Sequence, residues 1–510
     1  MTEHEHLERG LRRGDRVEVE ITDVTERGLG RAEKTVLVGP QREQKTYEIF
    51  VRKAIPGDQV LVELEQTRRK RCTGRWVEML KPSPIRITPR CEHFGRREDP
   101  GKGCGGCTFQ SLSYRHQLSI KERMIKDHFK AHGVDPGLVL PVLGMDDPWY
   151  YRNKMEFSFG DDATRTFSLG LHPTGYRHDV LNLSSCHLMS PFVSDFVPAL
   201  RKWAAEEAGA ERVTEAERMA YQPYHGGRDE GFLRSLILRE GKRTGERLLV
   251  LLTAGLPLSE GPGREVADAF ADAAERIAAT LGGAFTSIYW TRMDARKGQS
   301  TTWEDELLRG QPVLTEELHL PGERALRFEI HPRAFFQPNT LGAERLYAEV
   351  LKKTGLLEDH QVRNALDLYC GTGTIGLCLA PFVERVVGIE LQRDAVENAR
   401  KNARFNGIHN VEFFAGDVGA VLKSPELDLP IDAMDLIVVD PPRSGLFDQA
   451  VEQILELNAP RLVYVSCNPK TLAKNAAELI AGGYTLEVVQ PVDLFPHTFH
   501  VEHVALFSRP

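Results

Sequence analysis

Nothing in this sequence approaches the roughly 18–20 consecutive apolar residues a bilayer-spanning helix needs, which excludes an α-helical membrane protein. The opening stretch MTEHEHLERGLRRGD has no apolar core of the kind a secretory signal carries, so a cytoplasmic location without membrane contact is expected. Internal repeats and low-complexity tracts are missing, which removes solenoids and compositionally biased tails. Cysteine is sparse, with 8 among 510 residues, and in a cytosolic chain these are not read as disulfides. Nor is there an excess of positive charge. The formal net charge of −8, taken over the whole chain, argues against a nucleic-acid partner.

Local distribution changes that last reading. Between Gln66 and Arg90 stand Arg68, Arg69, Lys70, Arg71, Arg75, Lys81, Arg86 and Arg90, with Glu78 as the one acid. Such a run either binds phosphates or is a solvated face.

A chain of 510 residues exceeds one hydrophobic core, and about three domains are expected. Residues 8–80 read as a small β-barrel: GDRVEVEITDV and GDQVLVELEQT alternate apolar and polar residues after Gly-Asp turns. Residues 81–335, entered through Pro82, Pro84 and Pro89, read as a central α+β domain containing a cysteine-rich loop. Its helix SLSYRHQLSIKERMIKDHFKAHG and strand pairs such as LRSLILRE with RLLVLLT carry no argument for a topology. Residues 336–510 alternate strands (ALDLYC, RVVGIEL, VEFFAGD, DLIVVD, RLVYVSC) with helices, the pattern of a doubly wound, Rossmann-like sheet. The fold class expected is therefore multidomain α/β. In its last domain ligands belong at the C-terminal ends of the strands.

The first strand-to-helix turn there is Asp367-Leu-Tyr369-Cys-Gly371-Thr-Gly373-Thr-Ile-Gly376. Glycines let the backbone turn tightly and a ligand come close, and the spacing also fits a nicotinamide cofactor. Glu390 ends the second strand, where a carboxylate suits ribose hydroxyls, and Asp417 ends the third, within reach of an adenine amino group. The fourth strand runs into Asp440-Pro441-Pro442-Arg443 and the fifth into Ser466-Cys467-Asn468-Pro469. A cysteine at such a strand end is a buried small hydrophobe or a nucleophile. The neighbouring Asp-Pro-Pro and the downstream Glu502 favour the nucleophile. Cys370 lies inside the cofactor loop and Cys378 on the apolar face of a helix, so both fit that role less well.

Six motifs, FFQPN (335–339), DLYCGTG (367–373), GIE (388–390), DPPR (440–443), VSCNP (465–469) and HTFHVE (497–502), resemble those of the RNA 5-methyluridine methyltransferase family. The resemblance extends over essentially the whole chain. It implies S-adenosyl-L-methionine as methyl donor, Cys467 as the nucleophile adding to uracil C6, and Glu502 as the base removing the C5 proton. It also implies Gln337, Tyr369, Gly371, Glu390, Asp417 and Asp440 as cofactor or active-site contacts. Thr374 stands where some members carry Asn, which leaves its role open. Among rivals, a radical methylthiotransferase needs a Cys-x3-Cys-x2-Cys run, and none occurs. A cytosine-C5 RNA methyltransferase usually places its nucleophile differently. A non-catalytic RNA-binding protein need not retain Cys467, Glu502 and Asp440 together.

Cys91, Cys104, Cys107 and Cys186 form the other cysteine group, and four thiolates suit either zinc or an iron–sulfur cluster by spacing alone. The family resemblance implies a [4Fe–4S] cluster on these residues and a TRAM-type RNA-binding barrel at the N-terminus. By the same analogy 23S rRNA is the favoured substrate, with tRNA as the alternative, and a monomer is expected.

Overall fold

A computed structural model describes residues 9–95, 103–162, 166–176, 178–211, 213–225, 230–255, 261–295, 298, 300–322, 324–357, 362–422 and 434–509. Residues 8 and 510, the expected outer domain bounds, and part of the Cys91–Cys107 loop lie outside them. The chain divides into two compact units: residues 1–120, 157–187 and 496–499 form one, and 121–156, 188–495 and 500–510 the other.

The first unit begins with β1 (Arg16–Glu20), β2 (Asp23–Val24), β3 (Gly30–Val38), β4 (Glu43–Arg52), β5 (Gln59–Arg68) and β6 (Arg71–Lys81). They form one six-stranded sheet in the order β1-β5-β6-β4-β3-β2. Alternation drives it: β1 buries Val17 and Val19 while Arg16, Glu18 and Glu20 face water. These pack with Ile49, Val51, Val60 and Val62 into a local core. The two outermost strands of the order are consecutive in the chain, with Ile21 and Thr22 alone between them. Asp58, fully buried, ties the proline-rich segment back to this sheet by accepting from Ser83 N (3.0 Å) and Arg86 Nε (2.9 Å).

The basic run is therefore divided in use. Arg71 pairs with Glu48, Arg75 with Glu63 and Arg86 with Asp58. The turn joining β5 to β6 leaves Arg68, Arg69 and Lys70 exposed.

Helix α1 (Tyr114–Ala131) and strand β7 (Lys154–Asp161) each run across a division between the units. The first unit also holds β8 (Phe167–Leu171), which pairs with β7, and β9 (Leu181–Asn182). Its residues 496–499 include His497, whose N–H donates to Gln117 Oε1 at 2.9 Å.

The second unit opens with α2 (Pro191–Ala208), α3 (Glu215–Ala220), β10 (Leu233–Glu240), β11 (Arg247–Ala254), α4 (Pro262–Thr280), β12 (Ser287–Asp294) and β13 (Thr302–Gly310). β10 and β11 pair antiparallel as expected, β12 joins β11 in parallel and β13 closes antiparallel. A hairpin of β14 (Leu314–Leu320) and β15 (Arg324–Ile330) leads to α5 (Thr340–Lys353).

The doubly wound sheet follows. Its elements are β16 (Asn364–Leu368), α6 (Thr374–Leu379), β17 (Arg385–Glu390), α7 (Arg393–Phe405), β18 (Val411–Ala415), α8 (Val418–Leu422) and β19 (Leu436–Val439). After them come α9 (Asp448–Leu457), β20 (Arg461–Ser466), α10 (Pro469–Ala481), β21 (Thr485–Val492) and β22 (Glu502–Ser508). Strand order is β18-β17-β16-β19-β20-β22-β21. Every residue of β19 is buried, which explains its unbroken apolar run LIVV at the centre of the sheet. Among the described residues no helix is long and apolar enough to cross a membrane.

Candidate active site

From β18 through β20 the strands pair in parallel, so their C-terminal ends share one edge of the sheet. Tyr369 to Gly373, Glu390, Asp417, Asp440 and Cys467 all arrive there. Glu502 reaches the same edge by the opposite route. β22 runs antiparallel to β20 with Ser466 opposite His503, so the residue after Ser466 and the residue before His503 meet across the pair. Those are Cys467 and Glu502. Their separation of 35 positions in sequence is closed by one reversal of strand direction.

The cofactor loop shows where a ligand fits. Tyr369 takes φ 63°, a left-handed conformation that costs a non-glycine residue on the order of 1–2 kcal/mol and marks a functional turn. Gly373 has φ 79°, and a Cβ there would stand 2.6 Å from Phe413 Cζ and 2.9 Å from Ala399 Cβ. A Cβ on Gly371 would meet nothing within 4 Å, leaving open space beside the loop. The Glu390 carboxylate is fixed beside that space by Gly371 N (3.2 Å) and Gln392 N (2.9 Å). Asp417 is exposed, accepts from Ala420 N at 3.2 Å and acts electrostatically on Tyr369. An open cradle flanked by two carboxylates suits a nucleoside with ribose hydroxyls and an amino group. The residues fit S-adenosyl-L-methionine.

Beneath the loop lies Asp367, completely buried. Its Oδ2 accepts from Gly376 N at 2.7 Å, and Oδ1 has no hydrogen-bond partner among the described residues. Burial lifts this carboxyl to about 8.

At the reacting end, charge is crowded. Burial raises Cys467 to about 11, and the nearby Glu502 and Asp440 push it in the same direction. Arg443 opposes them. Glu502, 6 % exposed, is held well above the usual carboxylate range by burial and by Asp440. Asp440 rises to about 7 through burial. Burial holds the Tyr347 hydroxyl well above its usual range, with Asp440 and Glu502 adding to the shift and the Gln337 side chain opposing it.

Two loops are locked together beside these groups. Asn468 caps α10 through Lys470 N (3.1 Å), and its Nδ2 donates to Arg443 O at 2.9 Å. Arg443 Nη2 donates to His500 Nδ1 at 3.2 Å. That geometry needs a neutral imidazole, and burial with Arg443 and Lys121 nearby lowers His500 to about 4. The expected set Cys467, Glu502, Asp440 and Gln337 is thus brought together, as are Gly371 with Glu390 and Tyr369 with Asp417. Sequence reasoning passed over Arg443, His500, Tyr347 and Asn468. Three of the four sit inside or beside the quoted motifs; Tyr347 carries no local signal.

The four remaining expected ligands lie within the first unit. Cys104 and Cys107 are raised by burial, Cys104 to about 11, and Cys91, Cys104, Cys107 and Cys186 act on one another electrostatically. Gly106 N approaches Cys104 Sγ at 3.4 Å. Lys53, buried, donates to the carbonyls of Phe94 and Cys104 (2.7 Å for the latter). Among the described residues, however, no three Cys, His, Asp or Glu side chains stand in metal-holding geometry. The expected cluster has its thiols in one neighbourhood without an assembled ligand set.

A doubly wound sheet with an adenosylmethionine-type cradle and a Cys–Glu pair at its strand ends defines a methyltransferase domain. The family model described as tRNA (Uracil-5-)-methyltransferase matches residues 300–510. An uncharacterized RNA methyltransferase of Protochlamydia amoebophila is 39% identical over 463 residues, covering 89% of this chain and 99% of its own. Another, from Clostridium tetani, is 32% identical over 502 residues and covers 98% and 99%. Among solved structures, a Pyrococcus abyssi tRNA (uracil-54, C5)-methyltransferase in complex with S-adenosyl-L-homocysteine shares the fold. Its TM-score is 0.66 at 24% identity, over 96% of this chain and 100% of that one. The chain belongs to the same family as these RNA methyltransferases, and its residues 300–510 carry the match to the tRNA (Uracil-5-)-methyltransferase model.

An unfolded chain gives up the Asp367 proton near 3.8, while the folded protein keeps it to about 8. Folding takes up a proton between those values, so this group's stabilising contribution is lost as pH rises through the window. Asp367→Asn keeps the acceptor for Gly376 N and removes the titration. Thermal unfolding followed from pH 5 to 8 is expected to show a downward slope in the wild type that is flatter in the variant.

Proposed function

We propose that this protein methylates C5 of a uracil base in RNA, with Cys467 as nucleophile and Glu502 as base. The observation that carries the reading is the β20–β22 register, which sets Glu502 across from Cys467 at the edge where the cofactor cradle opens. Uracil C5 is a weak nucleophile. Addition of the Cys467 thiolate at C6 makes it an enolate carbon. Tyr369, Gly371, Glu390 and Asp417 would hold S-adenosyl-L-methionine, which would supply the sulfonium methyl for C5. Glu502 then accepts the C5 proton, the C5=C6 double bond re-forms and the thiolate leaves.

The electrostatics support this division of labour. Cys467 and Glu502 oppose each other's ionisation, so the site favours one negative charge at a time. That charge sits on sulfur for attack; once the adduct has taken the methyl and sulfur is uncharged, Glu502 yields its proton to solvent and carries the charge for elimination. Arg443 stabilises it on sulfur, Asp440 is the residue to help orient the uracil, and Gln337 is a cofactor or active-site contact. In the first unit, the chained β1–β2 edge and the exposed Arg68, Arg69 and Lys70 support a TRAM-type barrel that grips RNA phosphates. Cys91, Cys104, Cys107 and Cys186 are the residues to hold a [4Fe–4S] cluster, whose part is structural because methyl transfer here moves no unpaired electron.

Two RNA substrates are separable. The pairing of a TRAM-type barrel with a cluster favours 23S rRNA, whereas the matched family description and the Pyrococcus enzyme's substrate favour tRNA. Mapping 5-methyluridine in a strain lacking the protein distinguishes them by which RNA loses the mark.

RNA carrying 5-fluorouridine is expected to form a covalent adduct with the wild type, because fluorine cannot leave as the proton does. Cys467→Ala is expected to form none on denaturing gels. Adduct formation by that variant contradicts the nucleophile. Protein purified without oxygen is expected to contain iron and absorb in the visible; zinc without iron contradicts the cluster.

A further inference from the structure

One buried charge in the second unit has no part in the reaction as described. Lys121, on α1, has a side chain with no exposed surface, and so does Asp493. Its ammonium donates to Asp493 Oδ1 at 2.6 Å, His500 O at 2.9 Å and Phe495 O at 3.2 Å. Each of the three ammonium protons therefore has an acceptor. Asp493 Oδ1 also accepts from Phe495 N at 3.2 Å, so both ends of this set are fixed. A fully buried ion pair contributes little net stability against well-packed apolar residues, which leaves a positioning role open to it.

Its location supplies one. Val492 and Glu502 are the last ladder pair between β21 and β22. Beyond them the chain turns through the connection 493–501, and no further β21–β22 pairing restrains it. Lys121 takes over there. It grips the connection at its start, on Asp493 and Phe495, and at its end, on the His500 carbonyl two residues before Glu502. The Phe495 and His500 rings meet edge-on at 5.9 Å, closing the same loop. Cys467 stands outside this connection, at the end of β20 and beside the Asn468 cap, and the Arg443–His500 hydrogen bond is the link between the two loops.

We infer that Lys121 is a positioning residue for Glu502, fixing the β21–β22 connection so that this carboxyl meets the C5 proton of the covalent adduct. The inference rests on the reading of Glu502 as base. It assigns Lys121 to the second half of the reaction, in which the C5–H bond breaks, C5=C6 forms, the C6–Sγ bond breaks and the proton passes to Glu502. Addition of Cys467 to C6 does not need it.

Lys121→Met alone would take the ammonium away from the buried Asp493 carboxylate, so the test uses Lys121→Met with Asp493→Asn. Asparagine keeps the acceptor for Phe495 N. In single-turnover reactions with unmodified RNA and S-adenosyl-L-methionine, the double variant is expected to accumulate the methylated covalent adduct. Its decay should be roughly 100-fold slower than in wild type, the scale of an ångström's misplacement of a catalytic group. Adduct formation with 5-fluorouridine RNA is expected to keep the wild-type rate. Unchanged decay, or formation and decay slowed together alongside a lowered melting temperature, overturns the inference. Glu502→Gln serves as the reference: if it too fails to accumulate adduct, the base assignment itself is wrong, and Lys121 falls with it for that reason.

Discussion

A half-buried thiol and a buried carboxylic acid held close together do not readily carry charge at once, and the methyltransferase unit is organised around that constraint. Cys467 is raised to about 11 with Glu502 among the causes. Asp440 stands close to both and is itself lifted to about 7. The surroundings then decide where the single negative charge resides. Arg443 lowers the thiol, and a neutral His500 accepts from Arg443 without competing for the anion. An imidazolium at His500 would face Arg443 as a like charge, which its depressed value near 4 prevents.

Such an arrangement depends on backbone more than on side-chain reach. Parallel strands deliver the cofactor loop, Glu390, Asp417, Asp440 and Cys467 to one edge, and the antiparallel β22 brings Glu502 back to it. Asn468 joins the Asp440–Arg443 loop to the Cys467 loop by a hydrogen bond to the Arg443 carbonyl. Lys121 fastens the connection that precedes Glu502. These three points fix the backbone around Cys467, Asp440 and Glu502.

The C-terminal half of this picture was legible in the sequence because its signals are local. Gly371 and Gly373 announce a turn, DLIVVD reads as a strand, and Cys467 and Glu502 sit in short motifs at strand ends. Distance in sequence hid the rest. Lys121 and Asp493 lie 372 positions apart, and neither stands in a motif that names the other. Arg71, Arg75 and Arg86 read as part of a phosphate-binding run, yet each pairs with an acid brought to it by the sheet. The pairing of β12 with β11 in parallel and β13 in antiparallel follows no local rule, because a short apolar run does not encode its neighbour. The cysteine spacing 91, 104, 107 and 186 brings four thiols to one neighbourhood, but the sequence could not say how closely they would converge.

The central claim is that a proton leaves uracil C5 in exchange for a methyl group, and isotopic labelling tests it most directly. RNA transcribed with deuterium at C5 of every uridine is mixed with the protein and S-adenosyl-L-methionine, and nucleosides are weighed by mass spectrometry. One deuterium lost for each methyl gained, with no methylated product released by Glu502→Gln, is the predicted result. Methylated uridine that retains its deuterium would place the new methyl elsewhere and contradict the account.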